Sequence, residues 1–107
     1  MEQLTTEQLK QKIDNGENFV LDLFATWCGP CKIMLNTLTK VNESLISESA
    51  GEPQYKIYKY DIDSDREFVV NELGIRSVPT IKIFKEGKEV FSKAGVMSQT
   101  EVIKLLN

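Results

Sequence analysis

The chain has 107 residues, a net charge of −3, and 41% hydrophobic and 27% charged residues, the composition of an ordinary globular protein near the commonest domain size. That length buries a core without covalent staples. No basic block is present, so a nucleic-acid footprint is absent, and the longest apolar stretch, Phe19 to Phe24, is interrupted by Asp22 and too short to span a bilayer.

In chain order, Thr5-Thr6-Glu7-Gln8 matches a capping box, with Leu4 and Leu9 at the hydrophobic-staple positions. A first helix is expected there, with Leu9 and Ile13 on one face and Asn15-Gly16 at its end. Phe19-Val20-Leu21-Asp22-Leu23-Phe24 does not alternate and reads as a strand buried on both faces. A long helix is expected from about Cys28, because Met34, Leu38, Val41 and Leu45 recur at steps of four, three and four. Ser47 to Gln54, with Gly51 and Pro53, reads as a loop. Tyr55 to Asp61 is aromatic and β-branched enough for a second strand.

Ser64-Asp65-Arg66-Glu67 is a second capping box, followed by Phe68 and Leu73 and closed by Gly74. Thr80 to Lys85 alternates, as does Val90 with its polar neighbours, and Glu86-Gly87 joins these two strands as a hairpin. Ser98-Gln99-Thr100-Glu101 is a third box, with Met97 and Val102 as its staple pair and Leu105 or Leu106 as later core contacts. Helices between strands imply parallel pairing with right-handed crossovers, and the hairpin adds an antiparallel edge. The expected fold is α/β: one domain over residues 1–107, with a mixed central sheet and helices on both faces.

Cys28 and Cys31 are the only cysteines, and they form a single Cys-x-x-Cys in Trp27-Cys28-Gly29-Pro30-Cys31. A structural zinc site needs four ligands, and the chain supplies two Cys and no His, so no metal is expected. The missing His also excludes Cys–His proteases. Met1-Glu2-Gln3-Leu4 carries neither a basic n-region nor an apolar h-region, which leaves the cytoplasm as the default location. In a reducing compartment such a cysteine pair is catalytic, sensory or metal-binding rather than a permanent bridge.

A helix N-terminus presents free N–H groups and a partial positive charge. Cys28 there is expected to ionise below the range of a free thiol and to act as nucleophile, with Cys31 one turn further in as the resolving thiol. Gly29 keeps the approach to Cys28 open, and Pro30 fits the first turn, where its missing N–H costs little. A ring of only four residues gains about 2 kcal/mol from loop closure, so the disulfide can be reopened. Asp22, a lone carboxylate in a doubly buried strand, is expected to hold its proton above the usual Asp range. The alternative is that Asp22 faces a polar surface and Lys59 is merely solvated.

Trp27-Cys28-Gly29-Pro30-Cys31-Lys32 resembles the active-site signature of the thioredoxin family. The resemblance includes Phe19 to Ala25, Lys59-Tyr60-Asp61-Ile62-Asp63, Gly74-Ile75-Arg76-Ser77-Val78-Pro79-Thr80, Phe84-Lys85-Glu86-Gly87 and Lys93-Ala94-Gly95, and so covers nearly the whole chain in order. It implies the thioredoxin fold, with four to five strands, and a protein-disulfide reductase that carries electrons through a mixed-disulfide intermediate. It implies a cis bond at Val78-Pro79, where sequence alone favours trans. It implies that Asp22 moves a proton to or from the buried thiol, with Lys59 beside it. It also implies that Trp27, Gly29, Pro30, Val78, Gly95 and Val96 form a shallow apolar groove for a partner's backbone.

The implied partners are disulfide-containing proteins and an NADPH-linked flavoprotein, thioredoxin reductase. No Gly-x-Gly-x-x-Gly is present, so no cofactor of the chain's own is expected, and a monomer is. Asn36 stands where many family members carry a helix-kinking proline, which predicts a straighter helix or a kink held otherwise. Phe24 stands where Trp is common. The short N-terminus predicts a first strand stunted or missing. Two rival readings are a binding subunit that uses the groove without turnover, and an exported oxidase or isomerase. The latter's spacer His and signal sequence are lacking here.

Overall fold

The computed structural model describes residues 1–49 and 53–106. The elements are β1 (Glu2–Gln3), α1 (Thr6–Asp14), β2 (Phe19–Phe24), α2 (Gly29–Glu48), β3 (Lys56–Asp61), α3 (Arg66–Asn71), β4 (Thr80–Lys85), β5 (Lys88–Ala94) and α4 (Gln99–Leu106). The strands form one mixed sheet in the order β1-β3-β2-β4-β5. β1 and β2 run parallel to β3, while β4 is antiparallel to β2 and to β5. The first strand is present but stunted, with two residues.

β2 is the hub, and its alternating side chains serve two separate cores. Phe19, Leu21 and Leu23 join Leu9 of α1 and Phe68 and Val69 of α3 on one face. Val20 joins Met34, Leu38 and Val41 of α2 and Val102 of α4 on the other. That division explains the unbroken apolar run: with helices on both faces, neither parity of the strand meets water. Each fully buried Leu, Val or Phe contributes about 1.5–3 kcal/mol relative to an exposed one, so β2 anchors both layers.

The caps follow the sequence with one correction. In α1 the Thr5 hydroxyl accepts from the Gln8 amide and the Gln8 side chain accepts from the Thr5 amide, a complete box. Ser98 and Glu101 make the same reciprocal pair before α4. In α3, however, the cap is Asp65 and not Ser64: the Asp65 carboxylate accepts from the Phe68 amide at 3.0 Å. The Ser64 amide is already committed to the Asp61 carbonyl in the preceding turn, which moves the helix start one residue on.

α2 runs from Gly29, with Cys28 as its cap, to Glu48, so it ends just inside the polar stretch Ser47 to Gln54, where it is expected to end; residues 50–52 of that stretch lie outside the described residues. α2 runs on as one element across Asn36, whose backbone N–H no longer has to be missing as it would be in proline. The Glu86-Gly87 hairpin has left-handed backbone at both residues (φ 54° and 77°), as a tight two-residue turn requires. β4 departs from its alternating pattern. It lies between β2 and β5 and is buried through Phe84, and its Lys82 is held by Glu89 and by Ser92 Oγ at 3.1 Å. β5 is an exposed edge, with a register irregularity that leaves Val90 unpaired.

Candidate active site

β2 ends at Phe24, and the chain turns through Ala25-Thr26-Trp27 into α2, with the Cys28 amide bonded to the Ala25 carbonyl at 3.2 Å. Cys28 is extended (φ −93°, ψ 112°) and caps α2; Pro30 occupies the first turn, where no intrahelical N–H is missed. Cys28 and Cys31 are joined by a disulfide with Cα atoms 5.3 Å apart, inside the usual window. The Cys31 amide donates to Cys28 Sγ at 3.1 Å, so one of the free N–H groups at the start of the helix is directed at that sulfur. Both cysteines are nearly covered, Cys28 at 6% exposure and Cys31 at 3%, while Gly29 and Pro30 between them are exposed.

Three distant segments meet at this helix start. Val78, Phe24 and Ile62 pack against Ala25, Cys28 and Cys31. The Val78-Pro79 bond is cis, and Pro79 is buried. The Pro79 carbonyl accepts from the Gly95 amide at 2.9 Å, which brings Gly95-Val96 to the same end of the sheet. Trp27 is 66% exposed and Val96 is 45% exposed, so both present apolar surface outward. Trp27 is not loose: its Nε1 donates to Asp63 Oδ2 at 3.0 Å, and the other Asp63 oxygen is 3.3 Å from Arg66 Nη2.

Asp22 is fully buried, and neither of its carboxylate oxygens has a hydrogen-bond partner among the described residues. On β2 it points to the same face as Val20, which packs under α2, and as Phe24, which packs against the cysteines. It therefore lies on the α2 side, behind the start of that helix. Burial pushes its carboxyl up to about 7, and the positive charge of Lys59 works against that rise. Lys59 is Asp22's register partner on β3, and its Nζ also lies 5.6 Å from the centre of the Phe24 ring.

Asp22 and Lys59 thus face each other across β2 and β3, while the cysteines, Val78, Pro79 and Gly95 gather where β2 passes into α2. The sequence gives Asp63 and Ile62 no role at the site, yet both reach it. Ile62 belongs to a segment that carried the family resemblance, but its packing depends on β3 lying beside β2. Asp63 reaches Trp27 across 36 positions, and no local spacing encodes that contact.

Comparison with known proteins agrees with this geometry. A family model described as thioredoxin matches residues 1–107. The chain is 37% identical to the thioredoxin of Chlamydia caviae over 105 residues, covering 90% of this chain and 95% of that protein. It is 39% identical to the thioredoxin of Chlamydia muridarum over 88 residues, covering 82% of this chain and 78% of that one. Among solved structures, chloroplastic thioredoxin z superposes with a TM-score of 0.81 at 28% identity, covering 99% of this chain and 90% of that chain. Plasmodium falciparum thioredoxin superposes at 0.80 and 25% identity, covering 99% and 96%. With a matching family model over its whole length and a disulfide at the head of α2, the chain belongs to the thioredoxin family of thiol-disulfide oxidoreductases.

Proposed function

We propose that the protein is a general protein-disulfide reductase that works as a single unit over residues 1–107. In the reduced protein, Cys28 thiolate attacks one sulfur of a substrate disulfide. The substrate S–S bond breaks, a mixed disulfide forms on Cys28, and the first substrate sulfur leaves as a thiolate and takes a proton. Cys31 then gives its proton toward Asp22 and attacks Cys28 Sγ. The mixed bond breaks, the second substrate sulfur leaves as a thiolate and takes a proton, and the Cys28–Cys31 disulfide remains. Two electrons from an NADPH-linked thioredoxin reductase restore the dithiol. The observation that carries this reading is the Cys28–Cys31 disulfide at the N-terminus of a 20-residue helix, with the Cys31 amide directed at Cys28 Sγ.

Asp22 suits the proton step because its carboxyl, at about 7, can both take and return a proton near neutrality. Lys59 keeps that value from rising further. Pro79 fixes the loop that packs Val78 on the cysteines, and Trp27, Gly29, Pro30, Val78, Gly95 and Val96 form the face that receives a substrate's extended backbone. The protein is read as a cytoplasmic monomer: the irregular, charged β5 edge resists pairing with a second sheet.

Insulin reduction with dithiothreitol as electron source tests the function. The parent protein is expected to accelerate insulin turbidity, and Cys28→Ser to fall to the rate of dithiothreitol alone. Cys31→Ser is expected to accumulate a mixed disulfide with its substrate. A Cys28→Ser protein that reduces insulin as fast as the parent refutes the proposal.

A further inference from the structure

We propose that Met34 is a positioning residue whose thioether sulfur holds the Gly95-Val96-Met97 strap against α2 and so fixes Val96 for substrate docking. The inference rests on the reading of Val96 as part of the docking face. Met34 lies three residues beyond Cys31, on the same stripe of α2, and is completely buried. Its Sδ accepts a hydrogen bond from the backbone amide of Met97 at 3.3 Å. Met97 is also buried, and its bond to Met34 lies in the buried interior, where an N–H without a partner is costly.

The strap is therefore held at two points. At one end the Gly95 amide is bonded to the Pro79 carbonyl at 2.9 Å. At the other the Met97 amide is bonded to the sulfur of the helix that begins at the cysteines. Val96, between the two attachments, is the residue left facing outward. Beyond the second attachment, Ser98 and Glu101 cap α4 reciprocally, so that end of the strap meets a fixed element. A thioether is a weak acceptor, but removing it strands a buried N–H, and that loss, more than the bond itself, would release the strap.

Met34→Leu separates the acceptor from the packing, because Leu conserves the apolar volume. Two measurements read the result: steady-state insulin reduction, and hydrogen exchange at the Met97 amide. The expected outcome is a KM for insulin raised about fivefold with kcat within about twofold of the parent, and Met97 exchange accelerated about tenfold. A kcat loss with unchanged KM, or unchanged exchange, overturns the proposal.

Val96→Ala distinguishes this inference from the reading beneath it. If Val96→Ala raises KM while Met34→Leu changes neither KM nor exchange, the docking face stands and the sulfur attachment is wrong. If Val96→Ala leaves KM unaltered, the docking role of Val96 fails and the positioning role fails with it. The parent protein gives an independent check should Met34→Leu not fold. Its Met97 amide must be protected from exchange, and an unprotected amide overturns the proposal.

Discussion

Asp22 sets the largest pH dependence among the described residues. Its folded carboxyl, pushed up to about 7, lies above the ordinary value of 3.8. Between those two values the folded state binds more protons than the unfolded chain, so stability falls as pH rises through that interval. Below about pH 4 both states are protonated and the penalty is absent; above about pH 7 it is fully present, at about 4 kcal/mol. Asp22→Asn removes the titration. In the oxidised protein, denaturant unfolding is expected to show the variant several kcal/mol more stable at pH 8.5. That advantage is expected to shrink to near zero by pH 4. The amide keeps the cost of a buried polar group, but that cost does not vary with pH. Equal pH slopes for parent and variant would remove Asp22 as the titrating group. The sequence makes this residue visible because a carboxylate interrupts an otherwise apolar strand. The contacts of Asp63 and of the Met34 sulfur stay invisible because they join segments far apart in the chain: the pattern marks Met34 only as a core position, and no local spacing gives Asp63 a partner.

At the level of elements, legibility follows how many local signals agree. β2 and β4 fall on their expected bounds because an apolar or alternating run is closed by turn residues at each end. β1 has two residues, too few for any periodicity, and exists through its pairing with β3. The alternation in β4 places a polar residue where the fold has no solvent. Lys82 is only 4% exposed and is tolerated because Glu89 and Ser92 on β5 meet its ammonium. The capping-box pattern puts the start of α3 at Ser64, one residue early, because Asp65 is an equally good cap and the turn that engages the Ser64 amide is not visible in the local pattern. Alanine substitution separates the two. Asp65→Ala is expected to destabilise by about 1 kcal/mol and Ser64→Ala by less than about 0.5 kcal/mol, measured by urea unfolding. The reverse order would place the cap at Ser64.

Across the whole molecule, the disulfide adds to the stability of a fold that the two cores organise without it. One core packs α1 and α3 on the sheet and the other packs α2 and α4, whereas the cysteines share a small cluster with Ala25 and three partly buried neighbours. Reduction releases a ring of four residues, whose closure stabilises the oxidised form by about 2 kcal/mol. For a chain of this length that corresponds to a Tm about 10 °C higher for the oxidised protein, and a cooperative transition is expected in both forms by scanning calorimetry. A reduced form that lost cooperative melting would mean the bond organises the fold, contrary to the packing of the two cores. The same thermodynamic cycle ties this gap to electron transfer. Whatever favours the folded oxidised protein over the folded reduced one also makes the disulfide harder to reduce. A folded-state variant that leaves the unfolded chain's thiol–disulfide equilibrium unchanged and narrows the Tm gap is therefore expected to show a less negative reduction potential in a glutathione titration, and a narrowed gap with an unchanged potential would mean that the substitution acts on the unfolded chain instead.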